Sequence, residues 1–504
     1  MAKITFTGGT DVQTNTSNMQ IAHLNISKLE LGELKKVFLS LFLIYAVGIS
    51  AILRANYNYI DDQGRVAYGY QEWEGFGRYL SNFLSNFLHA DPYLTDISPL
   101  PQLIAAGTMA LAGLVIYHLV LETKSFWWAG IIALIPLGLS PYFLECFSYK
   151  YDAPYMALSV LFSVVPLLVW QYSTRLYLIA SILSILGVCL TYQASSGIFP
   201  MFVVLLCLKR WNAKTNKKTI ITFLLYSVIG FLSGMVIYKV FIMPPADAYV
   251  SNSLPDLPEL LPVAFEHLKQ YYQKVIEDFK KEWIVLILLL VCCFIESMVL
   301  SSKQGKIIAL FISLIAVCFM CMLAFGAYVV IEKPLFEPRA MYGFGILIAL
   351  LNIGAISEKT WTSKLICAIL GWIFFVFSFT YGNALSAQKD YENFRIEAVV
   401  MDLSELDVMA NDTAKQVQIV GSVGLAPILR NMPQDYNMLN RLIPIQFREK
   451  WIWGCYQWRH YYGLKNVNVN LNTDLKDAHL PILKESAYHT IRGDAHNILI
   501  EVRE

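Results

Sequence analysis

Apolar residues in this chain come in long uninterrupted blocks separated by short polar links. Crossing the hydrocarbon core of a bilayer takes about 20 such residues in a helix. On that gauge eleven segments qualify: 37–54, 100–121, 126–143, 154–170, 176–192, 195–208, 219–242, 283–300, 306–330, 340–356 and 364–382. The block at 195–208 is short, and a tight polar link joins 154–170 to 176–192. The pattern predicts a polytopic α-helical membrane protein with about eleven spans. Residues 1–36 precede the first block. Their first part is polar, and Ile21, Leu24, Leu31 and Leu34 recur among polar residues over 20–36, as in a helix lying in the membrane interface. No cleavable signal peptide is recognisable ahead of the first block, which reads as an uncleaved anchor.

Lysine and arginine in the short links set the orientation. With the N-terminus cytoplasmic, the inner links carry Lys124, Arg175, a basic run over 209–218, Lys303 and Lys359. Lys150, Lys280, Lys281, Lys333 and Arg339 stand on the other side and depart from the rule. An odd number of spans then puts the C-terminus outside. Four outer pieces result: a loop at 55–99, a short loop at 144–153, a loop at 243–282 with a helical stretch over 259–281, and a tail at 383–504. In the tail, charge density rises and the apolar blocks shorten. Gln416-Val-Gln-Ile-Val-Gly-Ser reads as a strand leading to a helix near 423–431, and His496-Asn-Ile-Leu-Ile-Glu-Val as a closing strand. The organisation expected is a cytoplasmic N-terminus at 1–36, a membrane domain at 37–382 and a small extracytoplasmic α/β domain at 383–504. The run Trp451–Trp458 is too aromatic to be wholly solvated.

Composition agrees with the block pattern. Of 504 residues, 56% are hydrophobic and only 15% charged, with a mean hydropathy of +0.49. A net charge of +1 leaves no basic surplus to suggest nucleic acid. Of the nine cysteines, Cys318 and Cys321 are three apart but sit inside an apolar block, and none has a zinc-type spacing with histidine. Only Cys146 and Cys455 fall in polar regions; both would lie on one face, where a disulfide is conceivable.

The chemistry gathers at the outer rim. Asp61 and Asp62 follow directly on the first apolar block, among Tyr57, Tyr59, Tyr68, Tyr70 and Trp73. A carboxylate so placed could act as general base toward a sugar hydroxyl, or the pair could form a solvated turn. Arg65 and Arg78 could bind phosphate or pair with Glu72 or Glu74. In Ser148-Tyr-Lys-Tyr-Asp-Ala-Pro154, Lys150 could neutralise a phosphate leaving group. Asp152 could face substrate or cap the following helix. Gln193 could bond sugar hydroxyls or simply end a helix. Arg339, after Pro338, could bind phosphate or anchor in the interface. Serine-hydrolase, metalloprotease, P-loop and dinucleotide motifs are missing. A flippase or transporter would place its charges near the bilayer midplane; here Glu296 comes nearest to that. A polymerase or ligase acting on a membrane-anchored glycan is the alternative within the enzyme class.

The run Tyr59-Ile-Asp-Asp-Gln-Gly-Arg-Val-Ala-Tyr-Gly-Tyr70 with Trp73 and Gly77-Arg78, then Phe143-Leu-Glu-Cys-Phe-Ser-Tyr-Lys-Tyr-Asp152, then Tyr192-Gln-Ala194, resembles the serotype-converting O-antigen glucosyltransferases of bacteria and their phages, the Gtr family. The resemblance runs from about residue 35 through the spans. It implies a GT-C-like membrane glycosyltransferase of the bacterial inner membrane, with an essential acidic residue in the first outer loop, where Asp61 and Asp62 stand. The implied donor is a polyprenyl-phosphate-linked glucose and the implied acceptor a sugar of lipid-linked O-antigen, met on the periplasmic face. Membrane lipids and the membrane proteins that make and flip the donor would be its partners. No nucleotide sugar, metal or other cofactor is required. In that reading Asp61 and Asp62 are the catalytic pair, Lys150, Arg78 and Arg339 meet the donor phosphate, and Asp152, Tyr59, Trp73 and Gln193 contact sugar. Which aspartate is the base stays open.

Overall fold

A computed structural model describes residues 31–121, 126–243, 253–356, 360–410, 413–430, 436–464, 466–469, 474–476 and 478–504. Most of the interfacial segment expected at 20–36 lies outside the described residues, as do the link at 122–125 and part of that at 357–363.

Helix covers each of the eleven apolar blocks. Among the described residues, nine helices are long and apolar enough to cross a membrane, or ten if a pair bent by 57° counts as one span. The count differs from eleven at two places. The first block is broken at Ile49 into Leu31–Gly48 and Ser50–Ala55, and Glu33, Lys35 and Lys36 make its start polar. The block at 126–143 becomes Trp128–Leu139 followed by Pro141–Ser148. Pro136 and Pro141 each open a short helix there, because proline fixes φ and donates no hydrogen bond.

Burial separates an inner ring of helices from an outer one. Pro338–Ala355 is 94% buried along its most apolar window and runs through the centre of the bundle. Lys217–Ile242, Lys281–Ser301 and Lys306–Leu323 are at most 28% buried and show Leu232, Leu288 and Phe311 outward, as a lipid-facing surface requires. Lipid chains are as apolar as these side chains, so association rests on close packing, and small residues mark the contacts. A Cβ on Gly197 would stand 1.9 Å from the Leu323 carbonyl oxygen, and one on Gly343 1.9 Å from that of Ala324. Both contacts are made with the same turn at Leu323–Ala324, on which the segments that carry Gln193 and Arg339 therefore both pack.

The last span does not stop at the membrane. Trp361–Ser404 is one helix of 44 residues, about 66 Å long at about 1.5 Å per residue. The boundary expected at 382 therefore falls inside a continuous helix. Ile396, Val399 and Leu403 of its far half form a core with Val417, Ile419, Trp458, Ile491, Ile498 and Ile500 of the tail. The sheet has the order β2-β1-β5-β4-β3. β1 (Lys415–Gly421) runs parallel to β2 (Val467–Val469) and to β5 (Asn497–Val502). β4 (His489–Gly493) is antiparallel to β5 and to β3 (Ile482–Glu485). The expected strands at 416–422 and 496–502 are thus central neighbours. The helix expected near 423–431 is the single turn Pro427–Arg430. Cys146 and Cys455 are both free thiols, so the conceivable disulfide is not formed.

Gly197→Ala should cost the protein its fold, because the added methyl meets backbone rather than a yielding side chain. A lower unfolding temperature in detergent is expected, with Gly75→Ala, where nothing lies within 4 Å of the new Cβ, left unchanged.

Candidate active site

The first apolar block ends at Asn56, whose left-handed φ of 45° turns the chain out of the helix Ser50–Ala55. The next residues are pinned from the tail side. Tyr57 donates its hydroxyl hydrogen to Glu392 at 2.8 Å, and Tyr59 donates to the Leu442 carbonyl at 2.8 Å. The Gln446 amide reaches the Asn58 carbonyl at 2.7 Å. The helix Asp62–Tyr68 then starts, with Asp61 immediately before it.

The two aspartates have unlike surroundings. Asp62 is buried, and its Oδ2 accepts from the backbone N–H of Tyr59 at 3.0 Å and of Lys150 at 3.0 Å. It closes its own turn and fastens the first loop to the second. Burial pushes its carboxyl up to about 8, with the Lys150 N–H and the Lys150 and Arg65 charges pulling the other way. Asp61 is only partly covered. Among the described residues its carboxylate accepts no hydrogen bond, and three guanidinium groups act on it. Burial raises its pKa, Arg65 opposes the rise most strongly, Asp152 adds to it, and Arg339 and Arg78 oppose it further.

Asp152 occupies the N-cap position of Ala153–Val164 but does not cap it. Its carboxylate is taken by Arg65 on one oxygen and by the Trp73 indole N–H, at 2.6 Å, on the other. The Arg65 guanidinium lies 4.4 Å from the Trp73 ring centroid, a cation–π contact. Arg65 therefore pairs with neither Glu72 nor Glu74. Lys150 directs its ammonium to Asn58 at 2.6 Å and to Asp96 at 2.8 Å, and only 4% of its side chain is exposed. Tyr59 and Trp73 are each 1% exposed. Asp62, Asp152, Lys150, Tyr59 and Trp73 thus build the wall of the site, their polar groups bonded to partners inside the protein.

Arg78 and Arg339 come to Asp61 from elsewhere. Arg78 has no carboxylate partner among the described residues. It donates to the Gln193 side-chain oxygen at 3.1 Å and lies over Tyr192, 4.5 Å from the ring centroid. Gln193 in turn donates to the Phe76 carbonyl and to the Tyr238 hydroxyl, both at 2.8 Å, so it orients Arg78. Arg339 is held by Glu145, which accepts from both its backbone N–H and its guanidinium. Its charge lies 5.7 Å from the Tyr149 ring centroid. The side chains of Tyr149 and Tyr192 make no hydrogen bond among the described residues; Tyr149 lies by Asp61 and Tyr192 beneath Arg78.

Glu145, Tyr149, Asn58 and Asp96 escape a reading of the sequence for site residues. Glu145 had a signal: a lone carboxylate in Tyr142-Phe-Leu-Glu-Cys-Phe147 is costly to bury beside a span unless a cation meets it. Asn58 and Asp96 had none, since their role depends on where the Lys150 ammonium points.

The model of the glucosyl transferase GtrII family matches residues 50–350, more than half of the chain and the whole of this site. The chain belongs to that family. The uncharacterized 55.3 kDa protein in the gtrB 5' region of Salmonella phage P22 is 25% identical over 437 residues, covering 83% of this chain and 88% of that protein. No solved structure matches. A GtrII glucosyltransferase needs a group to deprotonate an acceptor and groups to meet a leaving anion. The exposed side of this cluster holds one uncommitted carboxylate and two arginines.

Arg65→Met should destabilise the protein by about 3–5 kcal/mol, since it strands the Asp152 charge in a buried position; thermal unfolding in detergent checks this. In the pH profile of kcat/KM, activity should fall as Asp61 protonates, at a pH above the ordinary carboxylate range. Arg78→Gln removes a charge that favours the ionised form, so the same limb should move to higher pH. An acid limb that persists in Asp61→Asn would assign the base elsewhere.

Proposed function

We propose that this GtrII member transfers glucose from a polyprenyl-phosphate carrier to a sugar of lipid-linked O-antigen, with Asp61 as the general base. The single observation that carries the reading is that, among the described residues, the Asp61 carboxylate accepts no hydrogen bond while those of Asp62, Asp152 and Glu145 each do. In this reading Asp61 is the base, and Asp62, bonded to the Tyr59 and Lys150 N–H groups, positions the loop.

Asp61 takes the proton of the acceptor hydroxyl, the acceptor oxygen attacks the anomeric carbon, and the bond from that carbon to the phosphate oxygen breaks. The departing polyprenyl phosphate carries the negative charge to Arg78 and Arg339. Fixed cations aimed at a charge that develops only during reaction favour the transition state over the ground state. A phosphate monoester leaves without help from a covalent intermediate. Gln193 and Glu145 act by orienting the two arginines. Lys150 belongs to the loop framework in this account and meets the phosphate only through the field it adds.

A GT-C-like arrangement, with the site on the periplasmic face, fits the placement of the carboxylate directly after the first span and the lysine-rich links at the opposite ends of the helices. The donor's lipid tail would stay in the bilayer beside the site, which suits a polyprenyl carrier better than a soluble nucleotide sugar.

Glycan analysis of a host with and without this chain tests the reading. A glucosyl branch on the O-antigen is expected only when the chain is present. Its rate should fall by a factor of about 100 to 10,000 in Asp61→Asn; Arg78→Gln should also lower it, and Arg78→Lys should restore it only in part. An O-antigen unchanged by the wild-type chain would refute the assignment.

A further inference from the structure

Donor phosphate accounts for the basic part of the surroundings of Asp61, and a second substrate must also reach this carboxylate. The helix Asp62–Tyr68 bears an aromatic face that the transfer chemistry leaves unused. Tyr68, 46% exposed, meets Tyr456 edge-on at 5.3 Å and His460 at 4.7 Å between ring centroids. Tyr456 and His460 stand on the tail helix Trp453–His460. Tyr461, 55% exposed, follows directly and accepts from the Asn58 amide at 2.8 Å.

Two details tie this face to the reacting centre. A Cβ on Gly64, two residues after Asp62, would stand 2.8 Å from the Trp453 ring, so the missing side chain is what lets the tail helix lie on the loop helix. The same Cβ would stand 2.5 Å from the Tyr70 hydroxyl, so Tyr70 and the tail helix close on the loop helix at one point, beside the aspartate pair. This face also lies partly outside the matched family region, which ends at residue 350.

We infer that Tyr68, Tyr456, His460 and Tyr461 form the subsite for the acceptor saccharide, gripping a sugar ring by stacking and its rim hydroxyls by the phenol and imidazole groups. The inference rests on the glucosyl-transfer reading. Aromatic rings edged with hydroxyl and imidazole groups suit a saccharide, which has an apolar C–H face and a polar rim. A lipid chain would be served better by the exposed Phe83 and Phe87 of the helix Tyr79–Leu88, which carry no polar edge. Rigid rings also give contact area at little entropic cost.

The test uses the full-length protein in nanodiscs, with polyprenyl-phosphate glucose as donor and O-polysaccharide released from host lipopolysaccharide as acceptor. Tyr68→Ala and Tyr456→Ala should each raise the acceptor KM about tenfold, the loss of one stacking contact. Donor KM and kcat should stay near wild type, and Tyr68→Phe should bind acceptor nearly normally. If either alanine variant does not fold, Tyr68→Leu, which keeps apolar volume without a ring face, is expected to show the same rise. Acceptor KM unchanged in the folded variants, or donor KM rising in parallel, overturns the subsite. Failure of the wild-type protein to transfer glucose would instead overturn the reaction assigned above.

Discussion

The ion pair between Arg65 and Asp152 is the contact on which the site depends. Both side chains are almost wholly buried, and each is held by further contacts: Asp152 by the Trp73 indole, Arg65 by the face of the same ring. Coulomb attraction alone would not compensate the desolvation of two charges at a membrane surface. The indole supplies the missing partner on both sides, so one tryptophan satisfies an anion by its edge and a cation by its face. With Asp62 bonding the Lys150 N–H and the Lys150 ammonium bonding Asn58 and Asp96 close by, the first loop is joined to the second at several points. Asp61 then projects from a framework that leaves it little freedom. Its lack of partners follows from the density of pairing around it.

A division of labour among like residues results. Two adjacent aspartates differ because one faces a backbone N–H pair and the other faces guanidinium groups. Three cations differ in the same way. Lys150 is spent on Asp96 and Asn58, Arg339 is held by Glu145 with part of its charge directed at Tyr149, and Arg78 is oriented by a neutral amide and the faces of two rings. Preorganisation rises from Arg78 to Arg339, and the freedom to accept an anion rises in the reverse order.

Much of the architecture is legible in the sequence because lipid imposes a simple rule: apolar blocks of sufficient length become helices. The rule fails where a local feature competes with it. Pro136 and Pro141 bend the third block, and the charges at the start of the first leave it short of a full span. The strands at 416–422 and 496–502 are visible as β-branched runs, but their pairing is not, since parallel neighbours far apart in sequence leave no local trace. The site is legible as a set of residue types and much less as a set of roles. Asp61, Asp62, Arg78, Lys150, Asp152, Gln193 and Arg339 all lie in one cluster. Adjacency in sequence says nothing of which carboxylate is paired, and the pairing of Arg65 with Asp152 rather than a glutamate of its own loop is decided by how two loops cross. Tyr59 and Trp73 illustrate the same gap: both read as ring faces for a sugar, and both are posts inside the wall.

The unbroken helix Trp361–Ser404 bears on how such proteins can diversify. Its first half is a span and its second half is the spine of the tail, while Leu442 in the tail accepts from both Tyr59 and Tyr381. The soluble part is therefore geared to the bilayer rather than tethered to it. An exchange of tails between relatives cut at the membrane surface would sever a helix in mid-course and leave the first loop without its anchor. A cut between Ser404 and β1, with the lining segment around Leu442 kept compatible with the loop, respects the mechanical unit. In this chain the natural joint for modular change lies some twenty residues beyond the point where the apolar block ends.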